Sequence, residues 1–188
     1  MKTKVSVHTR RHARLLAPLH KREEQRAIRA AVQRFNAELP DRQQARYRVL
    51  GAELLVEKPE VPSKHPNRFV EVLIVDYPGR RNLQFRVQER GQVARVATIE
   101  GQPPFHEEEI QEALRIAGSD PRVAAVRRRR GLFVSAHVPP RSPATGGRVI
   151  QLHYVLAVKQ RYESAASVLV DLSDRRVLSV GVAGQREG

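Results

Sequence analysis

Residues 50–77, LGAELLVEKPEVPSKHPNRFVEVLIVDY, and residues 131–158, GLFVSAHVPPRSPATGGRVIQLHYVLAV, follow the same plan. Each contains an extended apolar segment, a proline-rich loop and a long run typical of a β-strand. At one constant offset in numbering, five positions of the first stretch correspond to five of the second: Pro59 and Pro139, Arg68 and Arg148, Phe69 and Val149, Val72 and Leu152, Ile74 and Tyr154. The chain is therefore predicted to contain a duplicated structural unit.

An amphipathic helix is predicted ahead of each stretch, because apolar residues recur there at helical spacing. They are Ile28, Ala31, Val32, Phe35 and Leu39 in the first helix, and Ile110, Ala113, Leu114 and Ala117 in the second. The first three of each set correspond at one constant offset. Three glutamates at 107–109 suit the first turn of the second helix, where the helix dipole favours negative charge. Gly118 and Pro121 indicate where that helix ends.

Two further strands joined by a short polar turn are predicted after each long strand. In the first copy Leu83, Phe85 and Val87 alternate with polar residues, as in a sheet with one buried face. The turn at 89–92 then leads into a strand at 93–99. In the second copy, strands at 165–171 and 177–180 flank the polar turn at 173–176, and both turns have the composition of hairpins.

The predicted fold class is therefore α+β, with two tandem modules. Each module consists of one helix packed on a four-stranded antiparallel sheet. The expected domains are a basic N-terminal arm at 1–22, a first module at 23–101, a second module at 102–184 and a tail at 185–188.

Residues 106–126, HEEEIQEALRIAGSDPRVAAV, and residues 168–180, VLVDLSDRRVLSV, carry a resemblance to known proteins. They resemble the small non-catalytic N-terminal domains of copper amine oxidases, which occur in tandem, and the related PepSY-like modules. The resemblance implies a cystatin-like fold and no activity, because the oxidases' cofactor-forming tyrosine and three copper-binding histidines have no counterpart here. The stretch Gln92–Val96 lacks the glycine of the inhibitory loop of cystatins, so protease inhibition is unsupported.

Groups able to perform catalysis or to hold a metal are sparse in the sequence. The seven histidines are scattered: His8, His12, His20, His65, His106, His137 and His153. His137 and His153 lie on strands that could pair, where ordinary hydrogen bonds are the commoner outcome. Cysteine is absent, and the glutamates are interpreted as helix N-terminal and surface charges. We therefore expect no catalytic residue, no metal, no cofactor and no enzymatic activity.

The strongly basic balance is the main functional signal, with a formal net charge of +14. Two clusters contribute to it, namely the arm that leads into the first helix and a run of four arginines that is predicted to open the first strand of the second module. The candidate residues for binding an anionic surface are Arg10, Arg11, Arg14, Lys21, Arg22, Arg127, Arg128, Arg129 and Arg130. Guanidinium groups bind carboxylate and phosphate well. A role of the arginine run in guarding a sheet edge against aggregation is an alternative.

These observations favour a non-catalytic protein-binding or assembly module, such as a structural or adaptor subunit of a larger assembly that docks on an acidic partner surface. The alternative is a nucleic-acid-associated protein that contacts the phosphate backbone through the basic arm and the arginine run. A basic protein without any such partner also fits the composition. No secretory signal and no long apolar run is present, so we expect a cytoplasmic protein without membrane contact. No small-molecule substrate is indicated.

Overall fold

The structure is a computed structural model that describes residues 17–39, 46–57, 67–128, 131–139, 147–158 and 161–182. The chain forms two compact units. One comprises Met1–Val75 with Asn82–Ile99, and the other comprises Asp76–Arg81 with Glu100–Gly188. No helix among the described residues is both long enough and apolar enough to cross a membrane.

The first unit is built from one described helix and a four-stranded sheet. Helix α1 spans Lys21–Glu38, and the strands are β1 (Tyr47–Glu57), β2 (Asn67–Asp76), β3 (Arg81–Gln88) and β4 (Val93–Ile99). The strands lie side by side in chain order, and β3 pairs with β4 antiparallel. The segments predicted from periodicity therefore form the elements expected of them.

The core of the first unit lies between α1 and the sheet. Ala27, Ala31 and Phe35 form the buried stripe of the helix, at the spacing that places side chains on one helix face. The strands contribute alternate residues to this cluster, namely Val70, Val72, Ile74, Leu83, Phe85 and Val87. The alternation predicted for β3 is confirmed, because its three apolar side chains are all buried in this cluster.

The second unit repeats this plan with an additional helix. Helix α2 spans Glu107–Gly118 and α3 spans Pro121–Arg127, followed by β5 (Leu132–His137), β6 (Val149–Val158), β7 (Arg161–Asp171) and β8 (Arg176–Val182). These strands also lie in chain order, and all neighbouring pairs are antiparallel. The core packs the helices on one sheet face through Ala113, Ala117, Val123, Val126, Ile150, Leu152, Tyr154, Ala166, Val168 and Val170.

The predicted fold class is confirmed as two tandem α+β modules, but two details were wrong. The arginine run does not open a strand, because Arg127 is the last residue of α3, Arg128 is its C-cap and β5 begins only at Leu132. Arg129 and Arg130 lie outside the described residues. Helix α3 forms because Asp120 accepts a hydrogen bond from the Arg122 backbone N–H and a proline follows the cap at the first helical position.

The correspondence between the two long helices also differs from the prediction. His20 is the N-cap of α1 and His106 is the N-cap of α2, so Glu23 and Glu109 both stand third in their helices. This alignment is shifted by about one helical turn from the one based on apolar residues. An apolar stripe repeats at every turn and cannot distinguish two such alignments, whereas a cap occurs once.

Candidate functional site

The structure describes four of the nine candidate binding residues. Lys21 and Arg22 are exposed in the first turn of α1, and Arg127 and Arg128 are exposed at the end of α3. Their grouping into a single surface is not shown, because the two pairs belong to different units. The remaining candidates, Arg10, Arg11, Arg14, Arg129 and Arg130, lie outside the described residues.

The exposed cations of the described chain differ in their ion pairing. Within the described part of the chain, none of the four candidate cations lies within salt-bridge distance of a carboxylate. By contrast, Arg122 contacts Asp120 at 2.7 Å, Arg175 contacts Glu112 at 3.2 Å and Arg176 contacts Asp174 at 3.2 Å. The predicted binding residues therefore carry positive charge that the described chain leaves uncompensated.

An open cleft of about 790 Å³ lies in the second unit and includes one of these cations. Its wall is formed by the end of α2, the end of α3 and the first strands of the sheet. The lining residues are Gln111, Leu114, Arg115, Gly118, Ser119, Arg127, Gly131, Leu132, Val134 and Tyr154. Within the described ranges, the lining thus combines two guanidinium groups with three aliphatic side chains and contains no carboxylate.

Tyr154 lines this cleft and carries a buried hydroxyl. The residue is 1% exposed, and its hydroxyl has no hydrogen-bond partner among the described residues. Burial raises the pKa of the Tyr154 phenol, and the nearby Arg127 guanidinium partly opposes this rise. The hydroxyl therefore stays protonated at neutral pH and is a hydrogen-bond donor to which the described residues offer no acceptor.

The charge in the cleft is only partly balanced. Arg115 lies 3.9 Å from Glu112, which also contacts Arg175, whereas Arg127 has no such partner in the described chain. The Arg127 guanidinium lies against Gly118, where an added Cβ would come within 2.2 Å of its Nη1 atom. The glycine therefore provides the space that this side chain occupies.

A buried ion pair lies at the start of α2 and anchors the chain that enters it. Arg148 donates to both oxygens of Glu109 at 2.9 and 2.8 Å, and the two side chains are 2% and 0% exposed. Arg148 also donates to the Pro103 and Pro104 carbonyl oxygens at 2.6 and 3.0 Å. Tyr77, which belongs to the same unit, donates to Glu109 Oε1 at 2.9 Å.

This pair corrects the interpretation of Glu109 as a surface charge, because the side chain is fully buried, whereas its predicted place in the first helical turn is confirmed. Burial alone would raise the pKa of its carboxyl. The bidentate hydrogen bonds and the charge of Arg148 outweigh burial, so the pKa lies below the ordinary value of 4.5. Glu109 is therefore ionised and structurally paired, rather than poised as an acid or base.

The first unit carries an equivalent pair in a more open setting. Arg68 donates to Glu23 at 3.1 and 3.0 Å, with side chains 4% and 18% exposed, and to the Ala17 carbonyl oxygen at 2.8 Å. Hydrogen bonding to Arg68 lowers the pKa of the Glu23 carboxyl. The correspondence of Arg68 with Arg148 was predicted, but the pairing of each arginine with a glutamate at the start of the helix in its own unit was not.

The histidines bring no metal ligands together in the described part of the chain, where no group of three or more potential ligands occurs. The rings of His137 and His153 lie 5.3 Å apart on paired strands, and His137 Nε2 lies 2.9 Å from the Ser135 hydroxyl. This arrangement is the ordinary hydrogen bonding expected from the sequence. His8, His12 and His65 lie outside the described residues.

Comparison with solved structures finds a fold similarity to part of an enzyme. The chain is similar to a copper-containing benzylamine oxidase from Hansenula polymorpha, with a TM-score of 0.54 and 16% sequence identity. The alignment covers 81% of this chain but only 28% of the oxidase chain. The similarity therefore concerns the fold of a part of that enzyme.

Sequence comparisons add no family to this fold similarity. No family model matches the chain, and no curated protein matches it either. The predicted resemblance to copper amine oxidase N-terminal domains is consistent with the structural neighbour. The cystatin-like and PepSY-like parts of that resemblance stay predictions.

Proposed function

We propose that this chain is a non-catalytic binding or assembly module that docks on an acidic protein surface. One observation carries the proposal. Lys21, Arg22, Arg127 and Arg128 are exposed and have no carboxylate partner within the described residues, whereas Arg122 and Arg176 are ion-paired. An acidic partner would supply the missing carboxylates, and arginine holds them in bidentate geometry.

The fold supports this proposal by analogy. The benzylamine oxidase similarity covers a minor part of that enzyme, and this chain carries none of the catalytic signatures sought in its sequence. Fold alone does not establish function, so the argument rests on the uncompensated charges. Charge complementarity between surfaces accelerates association and selects partners, which suits an adaptor subunit.

The test is affinity capture with charge-neutral variants of the full chain. We expect an acidic protein to be retained by the unmodified chain and lost from two double variants, Lys21→Gln with Arg22→Gln and Arg127→Gln with Arg128→Gln. The matched control, Arg122→Gln with Arg176→Gln, removes the same charge from residues that are already ion-paired, and it should retain the partner. Equal retention by all variants would contradict the proposal.

The nucleic-acid alternative is distinguished in the same experiment. Nuclease treatment before capture should leave the acidic protein bound, and a mixed-sequence oligonucleotide should show no anisotropy change at physiological ionic strength. Because phosphate contacts depend steeply on salt, the measurement is repeated at low ionic strength. Capture that is abolished by nuclease, with oligonucleotide binding that persists at physiological salt, would replace the proposed function with the alternative.

A further inference from the structure

We infer that the cleft between α2, α3 and the β5–β6 edge binds a small organic ligand that bears one carboxylate on an apolar body. The inference goes beyond the proposed docking function and shares only Arg127 with it. Three observations support it: the size of the cleft, the charge of its lining, and the buried hydroxyl of Tyr154 that has no partner in the described chain.

The volume matches a small molecule rather than a trapped water. Ligand sites in proteins typically measure about 300–1,000 Å³ and combine apolar walls with a few polar groups. This cleft, at about 790 Å³, falls within that range. Leu114, Leu132 and Val134 supply the apolar wall, and Gln111 and Ser119 add neutral polar groups.

The positive charge of the lining favours a ligand that carries a single negative charge. Arg115 shares Glu112 with Arg175, so its charge is partly compensated. Arg127 has no carboxylate partner within the described residues and is therefore the stronger hydrogen-bond donor to an anion. Among the described residues, one full and one partial positive charge suit a carboxylate better than a doubly charged phosphate. The planar guanidinium binds a carboxylate through two parallel hydrogen bonds.

The Tyr154 hydroxyl supplies the second point of recognition. Buried polar groups in proteins almost always have a hydrogen-bond partner. A donor that has none in the described chain, on a residue that lines a cationic cleft, therefore indicates a site for an acceptor. The hydroxyl oxygen is buried, so a ligand oxygen reaches it only when the lining side chains rearrange. Arg115 is 63% exposed and Arg127 is exposed, which leaves both free to move.

The direct test is titration of the isotope-labelled full chain with hexanoate, followed by amide chemical shifts. We expect hexanoate to shift the amides of Gly118, Ser119 and Gly131, which line the cleft. Hexanamide has the same apolar body without the charge, and acetate has the charge without the body, so both should bind much more weakly. A peptide with a C-terminal leucine carboxylate, compared with hexanoate, identifies whether a chain terminus or a free acid is the better source.

Two variants and one control make the test specific. Tyr154→Phe removes only the hydroxyl and should weaken hexanoate binding about tenfold, as expected for one lost hydrogen bond to a charged group. Arg127→Gln should abolish the preference for hexanoate over hexanamide. Arg122→Gln, whose side chain is paired with Asp120 and does not line the cleft, should leave binding unchanged.

Several outcomes would overturn the inference. They are the absence of shifts with hexanoate and with the peptide, equal binding of hexanamide and hexanoate, and unchanged affinity in Tyr154→Phe. Because Arg127 is exposed, its substitution should not disturb folding. Arg127→Gln therefore still tests the inference if Tyr154→Phe folds poorly. Tyr154→Phe keeps the basic surface, so capture of the acidic partner should persist in it, which separates a failure of this inference from a failure of the proposed function.

Discussion

The two units use the same arginine–glutamate pair at the start of their long helices, but they bury it to different degrees. In the second unit Arg148 and Glu109 are nearly inaccessible to solvent, whereas in the first unit Glu23 keeps 18% of its side chain exposed. Removing the partner of a charge that retains contact with water costs less folding stability than removing the partner of a fully buried charge. The comparison predicts that one interaction, copied within one chain, contributes very differently to the stability of each unit.

The largest effect is expected from breaking the buried pair. Arg148→Met leaves the Glu109 carboxylate buried without a cation, which should lower the free energy of unfolding of the second unit by about 3–5 kcal/mol. Urea denaturation gives the size of the loss, and hydrogen exchange measured by mass spectrometry assigns it to a unit. A loss that appears in the first unit, or one no larger than that of the exposed-pair control Arg122→Met, would contradict this reading of the pair.

A smaller effect is expected from the equivalent change in the first unit. Arg68→Met should cost about 1–2 kcal/mol, between the values typical of surface and buried pairs, because water can partly hydrate Glu23 after the arginine is lost. The same two measurements apply, with Arg34→Met, which breaks an exposed pair with Glu38, as the control. Equal losses of stability in the two units would mean that burial does not determine how much each pair contributes.

The smallest effect is the pH dependence of the stability difference between the unmodified chain and Arg148→Met. The pKa of Glu109 is depressed in the folded chain, so its contribution is full above the ordinary value of 4.5 and is lost as the pH falls through the folded-state value. In Arg148→Met the burial that raises the pKa of Glu109 is opposed only by the hydrogen bonds from Tyr77 and the His106 backbone N–H. The pKa therefore lies above that in the unmodified chain, and the variant loses less stability as the pH falls. The gap between unmodified chain and variant should therefore narrow below about pH 5, by at most about 1.4 kcal/mol per pH unit.

Urea denaturation at several pH values between neutral and strongly acidic checks this narrowing. Glu109→Gln with Arg148→Met removes both charges and should show no narrowing that is due to this pair. A gap that stays constant with pH would mean that Glu109 is not the group whose charge Arg148 compensates.

Much of the fold could be predicted from the sequence because it depends on local periodicity. The alternation at Leu83, Phe85 and Val87 identified a strand with one buried face, and these side chains are buried as expected. The correspondence of Arg68 with Arg148 was also evident, because Phe69, Val72 and Ile74 correspond to Val149, Leu152 and Tyr154 at the same offset. Short-range patterns of this kind are fixed by the geometry of strands and helices.

The errors arose where two local signals conflicted. Asp120 and Pro121 form a helix start, yet the glycine before them and the arginines after them favoured a helix end followed by a strand. Charge runs carry little information about secondary structure, so the cap was the stronger signal. The helix alignment was displaced because the apolar stripe has no unique starting point.

The cleft could not be predicted because its components are distant in the sequence. Tyr154 alternates with Leu152 and Ile150 and so looks like an ordinary core residue. Its missing hydrogen-bond partner is a property of tertiary packing, which periodicity does not report. Among the lining residues only Arg127 was predicted to be a binding residue, and this was because of its charge rather than its location.

The arginine of each pair also determines where a fragment that contains one unit should begin. Arg68 holds the carbonyl of Ala17, and Arg148 holds those of Pro103 and Pro104, so each unit extends upstream of its helix. A fragment that starts at residue 23 would lose both the Ala17 acceptor and the helix cap. A fragment that starts at residue 102 would retain its acceptors but lose Tyr77. Boundaries for expressing or transplanting either unit should follow these carbonyls rather than the first helical residue.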